Sequence, residues 1–360
     1  MQMASRCVRL WHGSVKTNFQ PRWCDPFQPM KKLLFTLLAI VATVITTQAQ
    51  TSLVATLSHE GKTSAYYGAE ALVNAAAAAE NGDVITLSSG TFKGATIAKS
   101  ITVRGAGMSV GDDGSLPTVI SSNMIASVDN ITLEGLYVNA TLFINGWTNS
   151  NDMFIKCRFT YVATSGSGNA YNMRFIHCKI ANGTQFYDNS SATFVNSIIC
   201  KPNGSCLYNF LNCVILFTQG NNQGGYGVSP SAIVNSSLTN CFVYSVGTNG
   251  FPKSTTPAYN VGSKEVLWNN STLASNAVVE DFTTLFKDFT GEYGDDVTFK
   301  LTATGAAYLG SDGTQVGIYG GSLPFDPTPT NPRITKAQVA GQSSANGKLS
   351  IELEVNGANH

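Results

Sequence analysis

Charge is what this chain has least of. Only 12% of its 360 residues are Asp, Glu, Lys or Arg, and 22 basic residues balance 22 acidic ones. With no basic excess, nucleic acid is not the expected partner. A coiled coil or helical bundle is excluded as well, since such sequences are rich in Glu, Lys and Leu. Histidine is scarce, and His59 and His360 are isolated. No Ser-His-Asp set, phosphate-binding glycine loop or zinc spacing occurs. Strong helical patterning after the leader is confined to AEALVNAAAAAE (69–80). What is abundant is glycine (34 residues), together with Asn, Ser and Thr, over a hydrophobic fraction of 43%. That fraction supports a core and excludes general disorder.

The segment from Met30 to Gln50 reads as a secretory leader. Lys31 and Lys32 form its positive start, Leu33 to Ile45 its apolar centre, and Thr47 and Ala49 its small-residue cleavage site. The apolar stretch is short for a membrane span. Residues 1–29 are then an upstream extension, 30–49 the signal peptide, and the mature chain has no transmembrane span. Its expected location is secreted, periplasmic or on the cell surface.

Five short stretches repeat: MFIKCRF (153–159), RFIHCKI (174–180), TFVNSII (193–199), NFLNCVI (209–215) and SLTNCFV (237–243). Each alternates with period two, as a strand with one buried face does. Recurrence every 16–28 residues signals a solenoid. The expected fold is all-β: a right-handed parallel β-helix over 50–322, with 69–80 as a capping helix at its open end. Cys157, Cys178, Ser197, Cys213 and Cys241 would form one buried ladder of small side chains, joined by Gly135. Ile155, Ile176, Val195, Leu211 and Leu238 would form an aliphatic ladder beside it. The ladder cysteines are expected to be unpaired, whereas Cys200 and Cys206 bracket KPNGS as a candidate disulfide. SLPFDPTPTNPR supplies a Pro-rich linker (323–333), and 334–360 alternates like a β-hairpin.

Residues 81–107 carry NGD-VITL, GTF and SITVRG, including Gly82, Asp83, Ile85, Leu87, Gly90, Thr91, Phe92, Ser100, Ile101, Val103 and Gly105. This resembles the first coil of pectin-lyase-like β-helix proteins. Residues 299–321, with Gly310, Asp312, Gly313, Gly317 and Gly320, are similar to the terminal coil of secreted bacterial members. Leader and tail resemble those of Bacteroides-type secreted proteins. The resemblance implies the fold and a carbohydrate connection. It implies no single activity, because one fold hosts many.

Over 136–264 the acidic residues are Asp152 and Asp188, more than one coil apart. Paired carboxylates for glycoside hydrolysis, or a calcium cage for uronate binding, are hard to build there. The same window holds Lys156, Arg158, Arg174, Lys179, Lys201, Lys253 and Lys264, a net +5 between acidic flanks. Aligning Cys157 with Cys178 stacks Lys156 on His177 and Arg158 on Lys179, all facing outward. Two readings stand: a basic patch for an acidic glycan, or a solvated outer face. Asn196, Asn212 and Asn240 follow at the position of Lys156, where asparagines can hydrogen-bond along the stack. Trp147, Tyr161, Tyr171 and Tyr187 are candidates for stacking on sugar rings. The acidic run GEYGDDV (291–297) has two readings, a solvated turn or a Ca²⁺ site on Glu292, Asp295 and Asp296, and the absence of EF-hand spacing favours the turn.

The expected function is binding of polysaccharide, an acidic one, through Lys156, Arg158, His177, Lys179, Trp147, Tyr161 and Tyr171, by a monomer that needs no cofactor or metal. A calcium-independent polysaccharide lyase, with Lys156 or His177 as base, is the alternative. A structural or adhesive surface protein is the third.

Overall fold

The computed structural model describes residues 53–111, 114–145, 148–165, 168–187, 189–204, 206–218, 229–247, 249–268, 275–331, 333–339 and 351–356. These belong to one compact unit, Thr51–His360. The leader, Trp147 and Asp188 lie outside the described residues.

Short strands stack into a parallel β-solenoid with two long sheets. Sheet A runs in parallel from Val84–Leu87 through Thr102–Arg104, Thr132–Glu134, Met153–Ile155, Met173–Ile176, Ser191–Val195, Leu207–Leu211 and Ser237–Thr239 to Thr256–Ala258. An antiparallel hairpin, Val54–His59 with Lys62–Tyr67, extends its N-terminal edge. Sheet B climbs beside it from Gly90–Phe92 to Ala277–Val279. Helix α1, Ala71–Ala78, buries Ala71, Leu72, Ala75 and Ala76 in the same core. Strands Arg333–Val339 and Ile351–Asn356 pair antiparallel.

The register of sheet A aligns Phe154, Phe175, Phe194, Phe210 and Leu238. These five are the buried ladder. Phe175 stacks on Phe154 at 4.6 Å and on Phe194 at 4.5 Å between ring centroids. Ile155, Ile176, Val195 and Leu211, expected inside, stand one residue later and face outward, half-buried or exposed. Leu238 belongs with the phenylalanines, and Thr239 occupies the outward place. Gly135 is likewise shifted: it aligns with Lys156, so Leu136 takes the position of Cys157.

Cys157, Cys178, Ser197, Cys213 and Cys241 do form a buried ladder, and the cysteines are free thiols. Each side chain donates to the carbonyl of the core residue one rung below. The acceptors are Leu133 (3.4 Å), Phe154 (3.3 Å), Phe175 (3.3 Å), Phe194 (3.4 Å) and Phe210 (3.6 Å). Asn260 continues the series to Leu238 at 3.0 Å. A small side chain with one hydrogen to donate suits this place, because each buried carbonyl gains a further partner. Burial pushes the Cys178 thiol up to about 12. Cys200 and Cys206 are not bonded to each other. Cys206 lies inside the solenoid, whereas Cys200 faces the second core outside sheet B.

That second core covers the outer face of sheet B from Ile198–Cys200 to Val261–Ser263. Ile198, Cys200, Val214, Leu216, Phe242 and Val261 project into a layer built from Phe282, Leu285, Phe286, Phe289, Val297 and Phe299 of the chain that follows. Ile198–Cys200, Val214–Phe217 and most of Phe242–Ser245 are thus buried on both faces, which explains near-continuous apolar runs such as VILF (214–217).

Candidate functional site

From Thr132–Glu134 onward, the chain turns through one residue of positive φ between each strand of sheet A and the next strand of sheet B. That residue is Gly135, Lys156, His177, Asn196, Asn212, Asn240 and Tyr259 on successive rungs, with φ between 44° and 63°. Asparagine and glycine suit this conformation; lysine and histidine adopt it at a cost. Lys156 and His177 are therefore corner residues, while Arg158 and Lys179, in register with each other, each begin a strand of sheet B.

The C-terminal segment 308–331 runs down this corner, opposite to the climb of the coils. Asn240 Oδ1 accepts from Ser311 N at 2.8 Å. Asn196 Nδ2 donates to Ile318 O and Gly320 O, both at 2.8 Å. Gly321 lies so close to Asn212 that a Cβ would meet its amide nitrogen at 2.2 Å. His177 Nε2 donates to Leu323 O at 3.0 Å. Lys156 Nζ donates to Asp326 Oδ2 at 3.0 Å and to Thr328 O at 2.7 Å. Asn331 Nδ2 ends the run on Gly105 O at 3.2 Å. Asn196 and Asn240 thus bond to this strap rather than to one another, and Asn212 packs against it at Gly321. Bonding along the stack occurs at a different corner, where Asn172 reaches Asn151 and Asn151 reaches Asn130.

Lys156, Arg158, His177 and Lys179 are accordingly engaged within the chain. Lys156 and His177 are 8% and 7% exposed. Burial, then the Lys156 charge, keeps the His177 imidazole below its usual range, against the pull of Leu323 O and Asp326. Arg158 pairs with Asp295 of the acidic run and lies 4.0 Å over the Tyr137 ring. Lys179 sits 5.8 Å from the centre of the Phe325 ring, and burial, then Arg158, lowers its pKa. The acidic C-terminal flank thereby supplies partners for the positive centre. Tyr161 stands apart, its hydroxyl on Gln185 Oε1 at 3.1 Å. Tyr171 accepts from Asn169 on another corner.

Lys156→Ala removes both of that residue's bonds to the strap. Amide exchange of Phe325 and Thr328 is expected to quicken about tenfold, a local opening cost lowered by about 1.4 kcal/mol. Unchanged exchange, read by mass spectrometry of the peptide spanning 323–331, would show that the strap does not depend on this lysine.

A cavity of about 220 Å³ opens elsewhere, near the last coils of sheet B. The register sets Ser263 beside Val279, so Lys264 neighbours Glu280 and Glu265 neighbours Asp281. Tyr244, Ser245, Val246, Ser263, Phe282 and Thr283 complete the lining. The rings of Tyr244 and Phe282 lie 5.3 Å apart at 36°. Burial, then Glu265, Asp281 and Glu292, raises the Tyr244 phenol. Asp281 accepts from Thr283 Oγ1 and Thr283 N, which hold its carboxyl below the usual range. Glu280 pairs with Lys264 at 2.7 Å.

This grouping escaped the sequence reading because the count of acidic residues ended at Lys264. The available signal was the parallel between VGSKE (261–265) and AVVED (277–281). Among the described residues no three of His, Cys, Asp or Glu are placed to hold a metal ion, the cavity carboxylates included. No helix among them is long and apolar enough to cross a membrane. Comparison with known proteins finds no matching family model, curated protein or solved structure.

Proposed function

We propose that the protein is an exported β-solenoid, right-handed and of the pectin-lyase-like kind, that binds polysaccharide through the Tyr244–Glu265–Asp281 cavity without acting on it chemically. One observation carries the reading: an open cavity joins an aromatic wall to carboxylates that can accept from hydroxyl groups. Sugar rings offer an apolar face and a rim of hydroxyls, and these are the complementary halves. At about 220 Å³ the cavity suits one sugar unit better than a larger molecule. Its negative lining favours a neutral glycan over a uronate. The lyase alternative draws less support, because Lys156 and His177, its candidate bases, are buried and bonded to the strap.

The test is retention on a panel of immobilised neutral and acidic polysaccharides. Tyr244→Ala and Glu265→Gln are each expected to weaken retention about tenfold or more, roughly 1.4 kcal/mol. Lys156→Met should change it less than about twofold. Equal retention by all four proteins would remove the cavity from the account, and release of unsaturated sugar products would restore the lyase.

A further inference from the structure

The two edges of sheet A are finished differently. At the C-terminal edge, Thr256–Ala258 is three residues long. Pro257 at its centre has no amide hydrogen, and its carbonyl accepts from Asn276 Nδ2 at 3.0 Å. Such an edge does not template another strand. At the N-terminal edge stands Lys62–Tyr67, KTSAYY, twice as long and exposed at every residue except the half-buried Tyr66. It pairs with Val54–His59 on one side, and no described residue pairs with its other side.

The hairpin determines which backbone groups that free side offers. Glu60 and Gly61 have φ of 46° and 77°, the two-residue turn that matches strand twist. His59 and Lys62 are the closing pair. Hydrogen-bonded and non-bonded pairs alternate from there, so 57/64 and 55/66 exchange hydrogen bonds while 58/63, 56/65 and 54/67 do not. Lys62, Ser64 and Tyr66 turn their backbone groups inward. Thr63, Ala65 and Tyr67 turn theirs outward, and the Tyr67 side chain is 69% exposed.

We propose that this edge pairs antiparallel with the same strand of a second copy of the chain, centred on Ala65, giving a two-fold dimer. A strand paired antiparallel with its own copy is symmetric by construction, so the assembly closes at two. Head-to-tail growth would need the other edge of the sheet, which Pro257 and Asn276 block. Centring on Ala65 also sets the two Lys62 residues about 20 Å apart along the strands, so like charges do not face each other. The paired segment is short, and the dissociation constant is expected on the order of 10 µM.

Sedimentation equilibrium of the purified chain from about 1 to about 200 µM tests this. The mean mass should rise from one chain towards two and no further. Ala65→Pro removes an outward N–H and leaves the ladder to Val54–His59 intact, because 56/65 exchanges no hydrogen bond. Ala65→Lys, at an exposed position that cannot disturb the core, places two like charges together only in the dimer. Each substitution should weaken association about tenfold or more. A chain that stays single throughout the range overturns the proposal, as does a dimer that both variants form with unchanged affinity.

Discussion

Phe175→Ala is expected to destabilise the protein by about 3–5 kcal/mol. Ile176→Ala, one residue along, should cost less than about 1.5 kcal/mol. Phe175 is fully buried, stacked between Phe154 and Phe194 and set edge-on to Phe159 at 6.2 Å. Its removal leaves a cavity in the middle of the aromatic ladder, which rigid neighbours on adjacent rungs cannot fill. Two stacking contacts, each worth about 0.5–1.5 kcal/mol beyond area burial, are lost with it. Ile176 lies on the outward face and is only half-buried. Urea unfolding of the two variants checks the register directly: a larger loss at Ile176 than at Phe175 would mean the strand faces are reversed.

Asp152→Asn is expected to stabilise the protein above neutral pH and to leave it nearly unchanged near pH 4. Asp152 takes a fully buried place in the stack, at the position Ile131 holds on the rung below and Met173 on the rung above. Its Oδ1 accepts from Ile131 N at 2.9 Å, and Oδ2 has no partner. Burial, resisted by the Ile131 N–H, raises its pKa from 3.8 to about 7. With the folded pKa above the unfolded one, the folded state binds this proton more tightly. The resulting stability is complete below about pH 4 and is lost as pH rises through about 7. Three units correspond to a loss on the order of 4 kcal/mol. Asparagine keeps the acceptor for Ile131 N and never ionises, so the slope should vanish. Chemical unfolding at several pH values measures it; wild type and variant losing stability in parallel between pH 4 and 8 would place the titrating group elsewhere.

The solenoid was legible because its strands repeat an apolar–polar–small pattern at the spacing of one coil. The buried thiol ladder was legible for the same reason. The face of each strand was harder to read, since pairs such as Phe175–Ile176 and Phe194–Val195 put apolar residues on both sides. The deciding fact, stacking of phenylalanines across rungs, is a three-dimensional one. The basic corner could be seen, but its partners could not. Asp326 lies 170 residues from Lys156 and Asp295 lies 137 from Arg158. Nothing periodic marks the segment that carries them back along the solenoid. The cavity carboxylates sit on coils that have lost the cysteine motif, so the repeat offered no frame in which to align Glu265 with Asp281.

In the proposed function, Lys156, Arg158, His177 and Lys179 serve contacts within the chain, and the ligand meets an acidic, aromatic-walled cavity. Affinity for a neutral polysaccharide and for a uronate-rich one, each at low salt and at about 0.5 M salt, tests it most directly. Binding to the neutral polymer with little salt dependence, and weak binding to the uronate, is the expected result. Tight, salt-sensitive binding to the uronate alone would contradict it and return the ligand to Lys156, Arg158, His177 and Lys179.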